Sequence, residues 1–185
     1  MKLTIITPTL NASATIARLL DSVASQSVTC EHLIVDGGST DNTKSIVENY
    51  PHAMWADAPG STIYEAQNIG IGLAQGEWLY FIGADDALFD ESVVAKILSY
   101  TGGALVQQGR IEYPGWPTHW PNVRQQAFVL KKELYDMYGL YDPKNLVYAD
   151  VAYRKMLANA GVRTDDTRVC FARVAANGFS SRGTA

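Results

Sequence analysis

Short apolar runs alternate with amphipathic stretches through the first hundred residues. Leu3 to Ile6 is brief, rich in β-branched residues and closed by Thr7-Pro8, which predicts a strand. Asn11 and Ser13 offer helix N-caps, and Ile16, Leu19, Leu20 and Val23 then recur at helical spacing. Leu33-Ile34-Val35 is continuously apolar, as expected of a parallel strand covered on both faces. A polar loop, Asp36 to Asp41, leads toward a helix around Lys44 to Tyr50. Ala53 to Ala56 predicts a third strand, and Ile63, Ala66, Ile69 and Leu73 mark the next helix. Trp78 to Ile82 gives the strongest strand signal and ends at Gly83-Ala84-Asp85-Asp86. A helix around Ser92 to Tyr100 and a strand around Leu105 to Gln108 continue the alternation. That order predicts an α/β fold with a mostly parallel central sheet flanked by helices.

The second half is less regular. Tyr113 to Pro121 holds three prolines in nine residues, which excludes regular structure there. Ala127 to Leu130 predicts a strand, Tyr148 to Asn159 a helix stopped by Gly161, and Val169 to Val174 a last strand. No repeat or linker divides the chain, so its 185 residues are expected to form one domain. A net charge of -4 without a dense Lys/Arg face argues against a nucleic-acid partner. Cys30 and Cys170 stand far apart without metal-ligand spacing and read as reduced core residues. His32, His52 and His119 are scattered and read as surface or loop residues. With no signal-like opening and no apolar run near the ~18 residues of a membrane span, a cytoplasmic location is expected, with peripheral membrane contact left open.

Ligands of open parallel sheets bind beyond the carboxyl ends of the strands. Two such ends carry acids here: Asp36, and the pair Asp85-Asp86. Adjacent carboxylates at a buried edge are costly unless a cation compensates, and Mg²⁺ or Mn²⁺ commonly takes one or two carboxylates plus substrate phosphates. The competing reading is that Asp85 and Asp86 cap a helix beginning near Asp90 or Glu91. For Asp36, turn formation before Gly37-Gly38 competes with acceptance of hydrogen bonds from a base or ribose.

Thr7-Pro8-Thr9-Leu10-Asn11, Ile34 to Thr43, Glu65-Ala66-Gln67-Asn68-Ile69-Gly70 and Gly76 to Asp86 stand in order along the chain. Together they resemble family 2 glycosyltransferases, whose fold is the Rossmann-like GT-A fold and whose members invert anomeric configuration. The resemblance is good over residues 3 to 100 and looser beyond. There Arg124 to Lys132, Gly139 to Asp142 and Tyr148 to Tyr153 resemble the acceptor-side segments. It implies a nucleotide-sugar-binding half (1–100), an acceptor-side half (101–185), and a tail missing where relatives continue past Phe179 to Arg182. Residue by residue, it implies that Thr7, Pro8 and Asp36 contact the nucleoside, with Asp36 on the base. Asp85 would bind ribose or metal, Asp86 would ligate Mg²⁺ or Mn²⁺, and Asp150 would deprotonate the acceptor hydroxyl. For Asp150 the rival is a helix-terminal carboxylate favoured by the macrodipole. The partners implied are a nucleotide-sugar donor and a saccharide or lipid-linked acceptor, in polysaccharide or glycolipid synthesis at the inner face of a membrane.

Three positions depart from the family pattern: Gly37, Gly83 and Gln125 stand where an acid, an acid and a histidine are frequent. Gly70 to Gly76 resembles a dinucleotide fingerprint but precedes a strand, so its glycines are expected to allow close helix–sheet packing. No nucleophile elbow supports a hydrolase. Trp116, His119 and Trp120 suit either a sugar-stacking lid or an anchored connection. Arg173 and Arg182 suit either a departing diphosphate or solvent. Two other functions remain open: a nucleotidyltransferase, whose Gly-rich, Arg/Lys-bearing loop after the first strand is absent, and a non-catalytic nucleotide-sugar-binding module.

Overall fold

The computed structural model describes residues 2–113 and 124–175. Among these described residues, eight strands form one sheet: β1 (Leu3–Thr9), β2 (Glu31–Asp36), β3 (Ala53–Asp57), β4 (Trp78–Phe81), β5 (Ala87–Leu88), β6 (Val106–Glu112), β7 (Phe128–Lys131) and β8 (Thr164–Arg173). Their order across the sheet is β3-β2-β1-β4-β7-β6-β8-β5. β1, β2, β3 and β4 run parallel, with Thr9 beside Asp36 and Ile6 beside Phe81. β7 is antiparallel to both β4 and β6, β8 is parallel to β6, and β5 is antiparallel to β8. Parallel pairing therefore carries the first half, and the second half closes the sheet with mixed pairing.

The helices are α1 (Ile16–Ala24), α2 (Thr43–Val47), α3 (Ile63–Leu73), α4 (Val93–Leu98), α5 (Glu133–Tyr138) and α6 (Ala149–Asn159). Ile16, Leu19, Leu20 and Val23 form the buried stripe of α1 that their spacing predicts. Its cap differs from expectation. Thr15 is the N-cap, without a side-chain bond, because Asn11 and the Ser13 backbone are engaged with the loop after β2. α3 begins with a capping box, Thr62 and Glu65 exchanging side-chain-to-backbone bonds. Gly161, at a φ of +77°, ends α6 as a left-handed C′ residue.

Trp78, Tyr80, Phe81, Leu79, Ile5 and Ile6 are fully buried in the centre of the sheet. A smaller cluster of Ile16, Leu20, Ile34, Val47 and Ala84 lies beneath α1 and α2. His32 corrects the surface reading: it is 0% exposed, stacked on half-buried His52 with ring centroids 5.7 Å apart. Burial and neighbouring His52 lower its pKa to about 3, so it is a neutral core ring. Both cysteines are free and half-buried rather than core residues, and burial pushes each thiol up to about 11. The Trp116–Trp120 segment, His119 and Arg182 lie outside the described residues.

Candidate active site

The loop after β2 is built by its own carboxylates. Asp36, 3% exposed, accepts hydrogen bonds from the backbone N–H groups of Gly38 (2.9 Å) and Ser39 (2.7 Å) and from the Ser39 hydroxyl. This is the turn-forming arrangement open to an aspartate before Gly-Gly, and Gly38 takes the φ of +103° that the turn requires. Asp41 accepts from the Ser13 N–H at 3.0 Å and the Thr43 N–H at 3.0 Å, and the Ser13 and Thr43 side chains first, with these backbone bonds behind them, hold its carboxyl well below the usual range. Thr40 N–H binds Asn11 Oδ1 (2.9 Å), so the loops after β1 and β2 are stitched together.

Beside this loop opens a cleft of about 500 Å³, within the range usual for small-molecule sites. Pro8, Asp85, Asp86 and Asp150 line it together; Thr7 and Asp36 do not. Thr7 is 0% exposed and its hydroxyl lies 3.1 Å from His32 Nε2, on the core side of β1. Asp36 ends β2 at the same sheet edge, but its carboxylate is committed to its loop.

The acid pair sits in a tight turn beyond β4, closed by a bond from Asp86 N–H to the Gly83 carbonyl at 3.1 Å. A Cβ at Gly83 would lie 2.7 Å from Asp85 Oδ1 and 3.0 Å from Asp86 Oδ2, so the missing acid at position 83 makes room for the pair. Asp86, 1% exposed, accepts from Gln126 Nε2 (2.8 Å), Ala175 N–H (2.9 Å) and Gly83 N–H (3.3 Å). Burial raises its pKa to about 6, reinforced by the Asp85 charge, even against those three donors. Asp85 is more exposed, and its backbone carbonyl accepts from the Arg18 guanidinium. Neither acid caps α4: Ser92 is its N-cap, and Asp90 serves Ser92 N–H at 2.9 Å.

Asp150 also lines the cleft, in the first turn of α6 and 8% exposed. Its Oδ2 pairs with Arg154 one turn on, at 3.0 Å, and that guanidinium lies 4.2 Å over the Phe128 ring. Its Oδ1 lies 2.7 Å from the Tyr64 hydroxyl, which is also 3.0 Å from the Val147 carbonyl, two acceptors for one hydrogen. Burial, with the Asp150 carboxylate beside it, holds that phenol protonated well above the ordinary range. Tyr64 rests on Tyr141, itself bonded to Tyr135 at 2.8 Å. Gln125, standing where histidine is frequent, exchanges two 2.9 Å bonds with Gln67. Leu146, Val147, Tyr148 and Val151 give the Asp150 wall an apolar rim, each 40–59% exposed.

Sequence reasoning missed Tyr64 and Gln126, because partners 86 and 40 residues apart meet only through sheet order, and it passed over Arg154, whose i,i+4 spacing from Asp150 on one helix was the available signal. Arg173 is not in the cleft: it pairs with Glu112 at 2.7 Å and covers Phe89. Among the described residues, no group of three or more His, Cys, Asp or Glu side chains forms a ready metal cage. Asp85 and Asp86 offer the cleft adjacent carboxylates that suit a hard cation.

The model of glycosyl transferase family 2 matches residues 4–161. The chain belongs to that family. A glycosyltransferase of PGL/p-HBAD biosynthesis from Mycobacterium bovis BCG is 39% identical over 106 residues, covering 53% of this chain and 41% of that protein. The uncharacterized glycosyltransferase YibD of Escherichia coli is 34% identical over 93 residues, covering 48% of this chain and 27% of YibD. Among solved structures, Staphylococcus aureus TarS superposes with a TM-score of 0.81 at 18% identity, over 95% of this chain and 60% of that one. The mannosyltransferase PcManGT of Pyrobaculum calidifontis, in complex with GDP-Man and Mn²⁺, gives 0.78 at 18%, over 94% of this chain and 56% of that one. These are GT-A glycosyltransferases, and this family 2 chain shares their fold. It spans 41% of the mycobacterial relative's length. No helix among its described residues is long and apolar enough to cross a membrane.

Proposed function

We propose that this family 2 chain transfers a sugar from a nucleoside diphosphate donor to an acceptor hydroxyl, inverting the anomeric centre. The observation that carries the reading is the convergence of Asp85-Asp86 and Asp150 on one cleft. Single-displacement inversion needs a group that holds the diphosphate and a separate base, and the acid pair and Asp150 supply candidates for the two roles. PcManGT in complex with GDP-Man and TarS in complex with UDP-GlcNAc, both of this fold, support a nucleotide-sugar donor.

Asp86 and Asp85 fit Mg²⁺ or Mn²⁺. Their donors are all oxygen, Asp86 is kept from easy ionisation by burial, and a cation beside the pair relieves both burdens. Such an ion, when bound, supplies Lewis-acid stabilisation of charge on the leaving diphosphate. The protein's own part begins with Gln126 and the Ala175 N–H, which fix the Asp86 carboxylate. Pro8 and the β4 turn shape the floor. Asp150 takes the acceptor proton: each carboxylate oxygen has two lone-pair sites, so Oδ1 and Oδ2 remain able to accept while Tyr64 and Arg154 hold them. The apolar rim at Leu146, Val147, Tyr148 and Val151 suits an acceptor with an apolar portion, which favours a lipid-linked saccharide over a free one. Work at the cytoplasmic face of a membrane follows from such an acceptor. The Thr7 hydroxyl is engaged with His32, whereas among the described residues Asp36 Oδ1 accepts only from the Ser39 hydroxyl and keeps a lone-pair site with which to accept from a base.

The test is release of nucleoside diphosphate from UDP-, GDP- and dTDP-sugars with lipid-linked saccharide acceptors and Mn²⁺. Turnover with one donor, lost by 100-fold or more in Asp150→Asn on the order expected for a general base, would sustain the reading. Turnover equal in Asp150→Asn would remove the base, and donor binding without any turnover would leave a nucleotide-sugar-binding module. The loop after β1, Leu10 to Thr15, contains neither Gly nor Arg or Lys, and nothing supports nucleotidyl transfer.

A further inference from the structure

We infer that Gln67 and Gln125 form an amide clasp that sets the spacing between the Asp85-Asp86 pair and Asp150, which makes both glutamines positioning residues for sugar transfer; this rests on the transferase reading above. The pairing is the first ground. Each glutamine donates from Nε2 to the other's Oε1, both bonds at 2.9 Å. Because each N–H···O bond favours a near-linear angle, two bonds side by side fix both the separation and the tilt of the amide planes. Gln67 is 1% exposed, so water competes little for these bonds. Neither amide ionises, so the clasp keeps one geometry as pH changes. Holding the fold together does not explain it, since α3 has a second two-bond fastening next door. Asn68 donates to the Tyr141 carbonyl at 2.9 Å and accepts from the Tyr141 N–H at 3.1 Å, and neither of those residues lines the cleft.

Placement is the second ground. Both glutamines line the cleft, and each stands beside a residue that holds one of its acids. Gln126, next in the chain to Gln125, donates to Asp86 Oδ2 at 2.8 Å. Tyr64, one helical turn before Gln67 on α3, donates to Asp150 Oδ1 at 2.7 Å. A continuous path thus runs from Asp86 through Gln126, Gln125, Gln67 and Tyr64 to Asp150, with the clasp as its middle joint. The parts on either side of that joint are stiff. The 3₁₀ turn Gln125–Ala127 is closed by a bond from Ala127 N–H to the Arg124 carbonyl at 3.0 Å, and Ala127 is fully buried. α3 starts in its capping box, and Gly70 lets it lie close against Ile6 and Val35. In transfer, the acceptor oxygen bonds the anomeric carbon as that carbon's bond to the diphosphate oxygen breaks. The electron pair leaves with the diphosphate, and the acceptor proton goes to Asp150. Both halves must be aligned at once, and a misplacement of about 1 Å costs on the order of 100-fold in rate. With the clasp loosened, water takes the acceptor's place in the same displacement and releases free sugar.

The experiment measures transfer and donor hydrolysis side by side, as glycoside product and as free sugar. UDP-glucose, GDP-mannose and dTDP-rhamnose are supplied with Mn²⁺ and octyl glycosides to the full chain. The chains compared are the parent, Gln67→Leu, Gln125→Leu, the double leucine variant and Asn68→Ala, each followed by a thermal melt. For a donor that the parent uses, each single leucine variant is expected to lower kcat for transfer about tenfold or more and to raise the share of hydrolysis, with the donor KM within about twofold. The double variant leaves no amide stranded, so it should regain most of the Tm lost in the single variants without regaining transfer. A merely structural pair would regain both together, and that result overturns the clasp. An equal swing toward hydrolysis in Asn68→Ala overturns it too, because loosening α3 outside the cleft would then suffice. If the leucine variants do not fold, Gln125→Asn decides: it is one methylene short of closing both bonds, and parent-like transfer in it sinks the clasp. A parent that transfers sugar from none of the donors overturns the transferase reading itself, and this one with it.

Discussion

Asp36 illustrates how a residue type can be legible in a motif while its work is not. Its place at the end of an apolar strand and before Gly-Gly is plain in the sequence, and both a turn and a base contact fit that place. The structure gives it three hydrogen bonds inside its own loop, two of them to backbone N–H groups. Replacing it with alanine strands those donors at a site 3% exposed, which costs about 1–3 kcal/mol. Asp36→Ala should therefore lower the urea midpoint of the ligand-free protein. An unchanged midpoint would mean that the carboxylate serves a ligand instead of the loop. Asp86 differs, because its donors come from Gln126 and Ala175 as well as its own turn. Gln126→Leu removes one of them from a carboxylate that burial already pushes up to about 6. Stabilisation by Mn²⁺ with a nucleoside diphosphate, read as a rise in Tm, should shrink in that variant while the ligand-free Tm moves by less. Asp150 is legible as a carboxylate at a helix start, and Arg154 falls at the i,i+4 spacing of a helix ion pair, but Tyr64, which also holds it, is not legible. A pairing across 86 residues leaves no periodicity to read.

At the scale of the element, α3 separates two glycines that look alike in sequence. Both interrupt a helical pattern, and the pattern assigns both to close packing. Only Gly70 serves it: a Cβ there would meet Ile6 Cγ2 at 2.5 Å and Val35 Cγ2 at 3.4 Å, whereas one at Gly72 meets nothing within 4 Å. Gly70→Ala must push α3 off β1 and β2, at an overpacking cost of about 1–3 kcal/mol. Gly72→Ala fills open space in a helix and reduces unfolded-chain entropy, so it should stabilise by roughly 0.5–1 kcal/mol. Opposite shifts in thermal melts are expected, and shifts of the same sign would contradict the packing. The first-half strands and helices are readable because each buried face carries its own period. β5, with two residues, is too short to show one, and α5 has only Leu134 and Tyr135 buried. β8 begins at Thr164, earlier than its apolar end suggests, since Thr164 to Asp166 pairs with β6 through backbone while their side chains are exposed or half-buried. Backbone pairing of polar residues is invisible to a hydrophobic pattern.

For the whole molecule, the parallel half is locked around a group that changes charge in an accessible pH range. His32 sits in β2 between β1 and β3, 0% exposed, bonded by Nε2 to Thr7, with Nδ1 lacking a hydrogen-bond partner among the described residues. Burial first, and His52 second, lower its pKa to about 3, against an unfolded value of ~6.5. Between those values the unfolded chain binds a proton that the folded chain refuses. Stability must then fall as pH drops below ~6.5, level off below about 3, and stay independent of this group at neutral pH and above. A gap of this size corresponds to a loss on the order of 4 kcal/mol across the window. Carboxylates that titrate in the same range, Asp86 among them with the opposite sign, would mask the slope in the parent alone. They cancel when the parent is compared with His32→Gln, which keeps a polar side chain near Thr7 and removes the titration. Urea unfolding of both chains from pH 7.5 to 4.5 should show the parent losing stability relative to the variant as acid is added. Parallel curves would mean that the ring takes up its proton without opening the sheet, and that the core around β2 is wetter than its burial implies.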